Sequence, residues 1–294
     1  MAGMLSKKTA PEPQKTSSRW GPDRRLEFID FRLRWDGRLN RADLVAFFGI
    51  SVPQASLDIA KYLELAPGNL VYDRSARVYL ATGEFKPVYD TSSPSRLLNE
   101  LLAHAAGVIG DESSFIGWRP PVGFVPTPGR ILSADTLAVL LRALRESRAV
   151  RLVYQSMSAE KPEPRLISPH AFAYDGFRWH VRAFCHKHQA FRDFVVARMS
   201  DVVLEESAES VAEQDSEWHE VTTLELEPHP GLSAAQRRAV ELDYGMTNGS
   251  VSFKCRQALV FYALRHLRLD GDESASPEKQ QVVLRGGTAS RVAV

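Results

Sequence analysis

The chain has 294 residues, of which 44% are hydrophobic and 25% are charged, and these are ordinary values for globular domains. Its two cysteines, Cys185 and Cys255, are too few for a disulfide framework or a four-cysteine zinc site. No apolar run approaches the ~20 residues needed to cross a bilayer, and the first residues lack the apolar core of a signal peptide. The sequence therefore predicts a reduced, cytoplasmic protein of two or three domains.

The net charge of +1 conceals a segregation of charge along the chain. Residues 1–80 carry thirteen Lys/Arg and nine Asp/Glu, whereas residues 201–230 carry ten Asp/Glu and no Lys/Arg. This pattern is typical of a protein with a basic contact surface at one end and an acidic connector nearer the other.

The N-terminal third is predicted to contain a tail followed by a helical domain. Residues 1–20 are rich in Lys, Ser, Thr and Pro, so we expect a disordered tail. Residues 21–90 carry three runs in which apolar residues recur at helical spacing. Asn40 is a good N-cap for the second helix, and Gly49 suits the left-handed conformation that ends many helices.

The segment after Gly49 predicts a helix that contacts DNA. Two short helices joined by a glycine-containing turn, followed by a hairpin over residues 69–81, are typical of a winged helix-turn-helix, whose second turn-linked helix enters the major groove. That helix begins at Ser51, and Gln54 is placed to complete a capping box. Gln can pair with adenine, whereas Ser can bond to phosphate or base. The predicted DNA contacts are Ser51, Gln54, Ser56 and Lys61 on the helix and Arg74 and Arg77 on the wing. The alternatives are pure capping for Gln54 and solvated turn residues for the two arginines.

Residues 91–148 are predicted to form a helical linker. Two helical runs, residues 93–107 and 133–147, flank a stretch that is too rich in Pro and Gly for regular structure. The first helix could carry a signal between domains, but packing within one subunit explains its leucines equally well.

Residues 149–206 form the most informative part of the sequence. Two β-rich runs flank Asp175-Gly176, a strong signal for a tight hairpin turn. Side chains alternate between the faces of a strand, so Arg178 and Arg182 share a face with the residue midway between them, His180.

A basic surface is therefore predicted on this sheet. Residues 151–200 carry eight Lys/Arg against four Asp/Glu. We predict that nine side chains form an anion-binding site: Tyr154, Ser156, Arg165, His170, Arg178, His180, Arg182, Arg192 and Arg198. A solvated sheet face is the alternative. If the site exists, Arg182 or Arg192 changed to Ala should abolish the response to ligand and spare folding.

These residues also carry a family resemblance. The pattern YxS, RxISPHA, DGxRWHVRA and FRDF resembles the WYL domain of bacterial transcription regulators, a small Sm- or SH3-like β-barrel. The eponymous Trp-Tyr-Leu stands here as Trp179-His180-Val181. His180, with PHA and FRDF around it, resembles the BrxR/CapW-type repressors that sit beside phage-defence operons. The resemblance extends along nearly the whole chain.

Residues 215–294 read as strand, helix, strand and helix, which predicts a small separate α/β unit. The resembled repressors use such an extension for dimerisation, so the resemblance implies a homodimer. From the residues alone, the unit could equally cover the barrel of its own chain.

The predicted fold class is α+β: a winged helix-turn-helix, a helical linker, a WYL barrel and a C-terminal dimerisation unit. The resemblance implies a homodimeric repressor on an inverted-repeat operator in double-stranded DNA, controlling a phage-defence operon. The WYL domain is expected to sense a nucleic-acid fragment or nucleotide, without cofactor. One alternative is a ligand-dependent activator, and another is a nuclease or RNA-processing factor.

Catalytic signatures are absent from the sequence, which has no Gly-rich phosphate loop, nucleophile elbow or HExxH run. His186 and His188 could share a metal, but their spacing alone is a weak signal. His180, Asp193 and Ser156 could be a hydrolytic set, yet nothing in the sequence fixes their geometry. We therefore predict no enzyme, no catalytic residue and no metal site.

Overall fold

The computed structural model describes residues 21–90, 93–205, 212–270 and 276–286. The predicted tail, residues 1–20, lies outside the described residues, as does the end of the C-terminal unit, residues 287–294. The chain divides into two compact units, with the boundary between Pro126 and Thr127.

The first unit is a winged helix-turn-helix. Its elements are α1 (Pro22–Asp36), β1 (Arg38–Leu39), α2 (Arg41–Phe48), α3 (Val52–Leu65), β2 (Leu70–Asp73), β3 (Val78–Ala81) and α4 (Pro94–Ala105). The antiparallel sheet has the order β1-β3-β2, and the β2–β3 hairpin is the wing.

Local sequence explains where α2 begins and ends. The side chain of Asn40 accepts a hydrogen bond from the backbone N–H of Asp43 at 3.1 Å, while the Asp43 carboxylate accepts from the Asn40 N–H at 2.7 Å. Gly49 ends the helix with φ +64°, a left-handed conformation that glycine adopts without a Cβ clash. The predicted cap and stop are thus both confirmed.

A cluster of aromatic rings forms the core of this unit. Phe28 on α1 lies against Phe47 and Phe48 of α2, with ring centroids 5.0 and 5.3 Å apart, and against Phe115 at 5.3 Å. Leu101 of α4 is buried in the same core. The first half of the predicted linker therefore packs into the first unit.

A buried polar network joins α1, α3 and the end of the wing. Asp30 has no exposed surface and accepts a hydrogen bond from the Tyr62 hydroxyl at 2.6 Å and from the Val88 N–H at 3.0 Å. Asn69 donates to the same hydroxyl at 2.9 Å. Burial and the neighbouring Asp30 raise the pKa of Tyr62. Satisfied buried polar groups of this kind fix one packing arrangement of the helices.

The second unit contains two sheets. The first part consists of α5 (Ala134–Glu146), β4 (Val150–Tyr154), β5 (Glu163–Tyr174), β6 (Trp179–Cys185), β7 (Ala190–Val195) and β8 (Met199–Leu204). The second part consists of α6 (Ser216–His219), β9 (Val221–Pro228), α7 (Ala234–Asp243), β10 (Val251–Arg256), α8 (Val260–His266) and β11 (Val282–Leu284). Leu140 and Ala143 of α5 are buried against the first sheet, so the second half of the predicted linker belongs here.

The first sheet is antiparallel, with the order β7-β6-β5-β4-β8. A register shift between Pro169 and Ala171 in β5, and another between Arg151 and Val153 in β4, bend its strands. Across the described residues, β7 and β8 do not pair, because a short 3-10 turn at Val196–Arg198 leads the chain from β7 to pair with β4. The predicted closed barrel is therefore not confirmed, and the strand pairing is that of an open, bent sheet.

The C-terminal sheet is also antiparallel, with the order β10-β9-β11, and α7 and α8 pack on it through Val240, Val260 and Leu264. Within the described part of the chain, no single helix is long and apolar enough to span a bilayer, and α2 with α3 would pass that test only as a pair bent by 115°.

Candidate functional site

The outward face of α3 is the candidate DNA-contacting surface. Ser51 and Lys61 are exposed, and Ser56 is half-buried with its hydroxyl donating to the Val52 carbonyl at 3.1 Å. Leu57 is 64% exposed on the same helix and was not among the predicted contacts. The sequence could have indicated this contact, because Leu57 is an apolar residue that does not belong to the buried stripe of α3. A thymine methyl group is the base feature that such a side chain can contact.

Gln54 makes a different contact from the one predicted. Ser51 caps α3 by accepting a hydrogen bond from the Gln54 N–H at 3.3 Å, but the Gln54 side chain does not return to close a capping box. Instead its Nε2 donates to Asp58 Oδ1 at 3.0 Å, one helical turn further on. Arg25 of α1 donates to both Asp58 oxygens, at 2.6 and 3.1 Å. The predicted capping box is wrong because the Gln54 side chain runs along the helix to the buried Asp58 carboxylate, so its oxygen does not reach back to accept from the Ser51 N–H.

The wing carries two exposed arginines. Asp73 orders the turn by accepting from the Ser75 hydroxyl at 2.6 Å and from the backbone N–H groups of Ser75 and Ala76. The Ser75 hydroxyl and these N–H groups lower the pKa of Asp73. Arg74 and Arg77 follow in the turn, and neither side chain bonds to another described residue. Both guanidinium groups are therefore available to phosphate.

The nine predicted ligand-binding residues fall into two groups in the structure. Five of them line one cavity of about 480 Å³, between the end of β4 and the β6–β7 hairpin: Tyr154, Ser156, Arg165, Arg192 and Arg198. We call this cavity the basic pocket. The other four lie under the C-terminal part of the same unit: His170, Arg178, His180 and Arg182.

Two cations of the basic pocket are left without an internal partner. Glu163 is paired with Arg165 at 2.5 Å and with Lys187 at 2.7 Å, and these hydrogen bonds lower the pKa of Glu163. Arg192 and Arg198, in contrast, make no side-chain hydrogen bond or ion pair with any described residue. The pocket therefore presents two open guanidinium groups, the arrangement that suits an anion.

Tyr154 and Ser156 shape the wall of this pocket. The Tyr154 hydroxyl accepts a hydrogen bond from the Val195 N–H at 3.1 Å, and its ring packs on Phe194 with centroids 5.1 Å apart. Ser156 Oγ accepts from the Ala159 N–H at 3.1 Å. Because the Tyr154 ring is buried, it positions the wall and does not offer a free face for stacking.

Two residues of the hairpin after β6 also line the basic pocket. Lys187 and His188 were not among the predicted ligand-binding residues, although His188 was considered for metal binding. Loss of solvent and the charges of Arg192 and Arg165 lower the pKa of His188. His186 points elsewhere and shares a hydrogen bond with Ser168 Oγ at 2.8 Å. The cluster of basic residues in CHKHQAFR was the signal that these two residues belong to the site.

Arg182 lies at the centre of the covered group. It is 4% exposed and donates to Asp215 through Nε at 2.7 Å and Nη2 at 2.9 Å, and to Glu217 at 2.8 Å. Its Nη1 lies 3.4 Å from Asp193. Burial opposes the charge, but Asp215, Asp193 and Glu217 together raise the pKa of Arg182. Four of the five N–H donors of the guanidinium are therefore used within the protein, and Arg182 is not open to a ligand.

His170 shares the same acidic partner. Its Nε2 lies 2.9 Å from Asp215 Oδ2, and its ring meets Trp218 of α6 edge-on, with centroids 5.7 Å apart. Burial lowers the pKa of His170, and the attraction of Asp215 only partly opposes it. Asp215 is itself 1% exposed and, although burial opposes its charge, hydrogen bonds from Arg182 and His170 lower the pKa of its carboxyl.

Arg178 and His180 both converge on Asp175 in the hairpin turn. Arg178 Nε donates to Asp175 Oδ2 at 2.9 Å, and His180 Nε2 lies 2.8 Å from the same oxygen. The His180 ring is covered by Tyr262 of α8, with centroids 5.0 Å apart. Burial of Asp175 opposes its charge, but the bonds from His180, the Phe177 N–H and Arg178 lower the pKa of this carboxyl.

The prediction that all nine residues form one open site is therefore corrected. Strand alternation does place Arg178, His180 and Arg182 together, but α6 and α8 cover that face. Asp215, the N-cap of α6, pairs with Arg182, and the Tyr262 ring of α8 packs on His180. The two groups meet at Asp193, which lines the basic pocket while accepting a hydrogen bond from the Tyr262 hydroxyl at 3.0 Å. The hydrolytic set of His180, Asp193 and Ser156 is not formed, because His180 pairs with Asp175 and not with Asp193.

Comparison with known proteins extends over almost the whole chain. Three family models match: the winged helix-turn-helix domain of the BrxR transcriptional regulator at residues 22–103, the WYL domain at residues 135–204, and the C-terminal dimerization domain of the BrxR transcriptional regulator at residues 221–289.

Curated relatives are similar over the same length. A protein of Stenotrophomonas maltophilia described as the DNA-binding transcriptional repressor CapW is 49% identical over 268 residues, covering 90% of each chain. Proteins of the same description from Pseudomonas aeruginosa and Escherichia coli (strain KTE188) are 46% and 47% identical, covering 95% and 92% of this chain and 95% and 91% of their own.

The chain belongs to the CapW family of transcriptional repressors. The family resemblance drawn from YxS, RxISPHA and FRDF is thereby confirmed. The CapW family is a family of regulators, which confirms the prediction that the chain is not an enzyme. In this chain the basic pocket lies in the segment that matches the WYL model, and α3 lies in the segment that matches the winged helix-turn-helix model.

Proposed function

We propose that this chain is a DNA-binding transcriptional repressor that acts as a homodimer. The observation that carries the proposal is its identity of 46–49% to proteins described as DNA-binding repressors, over 90–95% of its length. The exposed face of α3 and the unpaired wing arginines Arg74 and Arg77 support it, because these features suit a groove and its phosphates.

The same family supports the proposed dimer, and the symmetry of that dimer suggests the form of the operator. A model named for C-terminal dimerization matches residues 221–289, which supports a two-fold dimer formed through β9, β10 and the helices packed on them. A two-fold dimer of winged helices reads an inverted repeat, because each α3 meets an equivalent half-site. Six side chains are proposed to contact DNA: Ser51, Gln54, Ser56, Lys61, Arg74 and Arg77.

The basic pocket is proposed to bind the effector. Arg192 and Arg198 lack internal partners, and Arg forks match phosphate oxygens in pairs. A cavity of about 480 Å³ is large enough for a nucleotide or the end of an oligonucleotide, within the usual range of ligand pockets. The ligand class we propose is therefore a nucleotide or nucleic-acid fragment held chiefly by its phosphates.

The path from the pocket to the dimer is proposed to run through Asp193. This carboxylate faces the pocket, contacts Arg182 and receives the Tyr262 hydroxyl of α8. A phosphate beside Asp193 repels it, so the bound state favours a different arrangement of α8 and of the dimer it supports. Repression is lost when the two α3 helices no longer match the half-site spacing.

The regulated genes are a phage-defence operon, as the resemblance to repressors of such operons implies. The protein acts in the cytoplasm, where that DNA lies.

The bent sheet of β4–β8 is proposed to adopt the Sm- or SH3-like barrel of WYL domains. The register shifts in β4 and β5 support strong curvature of the sheet.

The test is selection from a random-sequence DNA duplex library by the purified full chain, followed by sequencing of the retained DNA. We expect the retained DNA to contain an inverted repeat. We also expect the protein to leave this DNA uncut, both with and without magnesium. Retained DNA without a two-fold pattern contradicts the dimeric reader, and magnesium-dependent cleavage contradicts the regulator. A short 5′-phosphorylated oligonucleotide should release the selected duplex; retention of the duplex only in its presence indicates an activator.

A further inference from the structure

We propose that Asp58 is a positioning residue for base recognition: it holds the Gln54 amide so that its free edge reads adenine. This inference rests on the proposed DNA-binding function and adds to it a residue that itself never touches DNA. It names both the base that Gln54 selects and the internal contact that makes the selection possible.

The contact fixes which end of the Gln54 amide faces the protein. Asp58 Oδ1 lies 3.0 Å from Gln54 Nε2, and a carboxylate only accepts hydrogen bonds. The amide oxygen cannot replace Nε2 there, because two acceptors repel each other. Gln54 is half-buried on α3, and in the proposed arrangement the remainder of its amide faces outward.

The edge that remains free has the pattern of hydrogen bonds that adenine requires. The Nε2 group carries two hydrogens, and the bond to Asp58 uses only one of them. In the proposed arrangement Asp58 accepts the hydrogen that points away from Oε1, so the second hydrogen and Oε1 lie side by side. That hydrogen can donate to adenine N7 while Oε1 accepts from N6, which is the paired contact between Gln and adenine. The opposite orientation of the amide would present a mismatched edge.

Asp58 is itself held in place by a second residue. Its side chain is 5% exposed, and Arg25 of α1 donates to both oxygens at 2.6 and 3.1 Å. The bidentate fork leaves the carboxylate one geometry, and it offsets a negative charge that would otherwise lie near DNA phosphates. Arg25, Asp58 and Gln54 thus form a chain from the core of the unit to its outer face.

The experiment selects duplexes from a random library with the full chain and with three variants, Gln54→Ala, Asp58→Asn and the double variant. Gln54→Ala should lose preference for adenine at one position per half-site by about 5- to 150-fold. Asp58→Asn should weaken the same preference by about 2- to 10-fold, because a neutral amide accepts Gln54 in either orientation. Asp58→Asn should add nothing at that position in the Gln54→Ala background.

The outcomes separate a positioning role from a structural one. The inference is overturned if Asp58→Asn weakens selection equally at every position of the half-site. It is also overturned if Asp58→Asn weakens selection at the adenine position as much in the Gln54→Ala background as in the wild-type chain. Either result leaves the proposed function standing. Failure of the wild-type chain to select any sequence overturns both. Should Asp58→Asn unfold, the paired contact is tested with the wild-type chain and two base analogues in place of the selected adenine. 7-Deazaadenine lacks N7 and purine lacks the N6 amino group, so each should weaken binding. If only purine weakens binding, the paired contact is overturned.

Discussion

Arg182 and Asp193 lie directly opposite each other on β6 and β7, and Nη1 of the guanidinium is 3.4 Å from Oδ1 of the carboxylate. Cross-strand pairs of opposite charge stabilise a sheet by a modest amount. Here the pair has a second role in our proposal, because Asp193 also lines the basic pocket and bonds to Tyr262.

Removing the Tyr262 hydroxyl should weaken the link between the basic pocket and α8. Tyr262→Phe keeps the ring over His180 but leaves Asp193 without this donor, so we expect a loss of about 1–2 kcal/mol in the free energy of unfolding. Release of the selected operator by the phosphorylated oligonucleotide should weaken as well. Tyr244→Phe is the control, since Tyr244 is 37% exposed and lies in the turn after α7. A normal response with Tyr262→Phe contradicts the proposed path.

Two arginines on neighbouring strands should behave differently when truncated. Arg182→Ala leaves the buried Asp215 without its main partner, so stability should fall by about 3–5 kcal/mol. Arg192→Ala removes an exposed, unpaired side chain, so stability should change by less than about 0.5 kcal/mol while binding of the oligonucleotide is lost. Urea unfolding and fluorescence binding measure the two effects. This corrects the sequence-based expectation that both changes spare folding, and unchanged stability in Arg182→Ala would restore it.

Stability should fall as the pH is lowered below neutrality, in part through His170. Its pKa in the folded chain lies below the ordinary value of 6.5, so the unfolded chain binds more protons and stability rises with pH. The contribution of His170 is complete above pH 6.5 and is lost as the pH falls through its folded pKa. His170→Gln should reduce this slope, and His188→Gln should reduce it as well, but by less, because His188 also has a lowered pKa and lies at an exposed position. A second loss is expected below pH 3.8, where the lowered pKa values of Asp175 and Asp215 apply.

The salt dependence of DNA binding should report the phosphate contacts of the first unit. Lys61→Ala and Arg74→Ala should each reduce the slope of log affinity against log salt by about 1, and should weaken binding to operator and random duplex alike. Lys161→Ala, an exposed lysine in the second unit, is the matched control. If all three variants share the wild-type slope, these two residues do not contact phosphate.

The sequence predicted local structure well and distant pairing poorly. The helix-turn-helix followed from the Asn40 cap, the Gly49 stop and the apolar spacing, which are properties of neighbouring residues. Strand alternation correctly grouped His180 with Arg182. It could not reveal that Asp215 neutralises Arg182, because these residues are 33 positions apart and no periodic pattern links them. The capping box of Gln54 was wrong for a related reason: its capping position is encoded locally, whereas the ion pair that holds the Asp58 carboxylate in place depends on Arg25 of another helix.

The packing of α6 over Arg182 also limits which segments of this protein can be transferred into another regulator. A graft that moved only the WYL strands into another regulator would carry a buried guanidinium away from Asp215 and Glu217. A functional chimera must therefore include residues 212–219 with the sheet, even though the matched WYL segment ends at residue 204. The segment to be transferred is therefore longer than the matched WYL segment, and its C-terminal boundary belongs after α6.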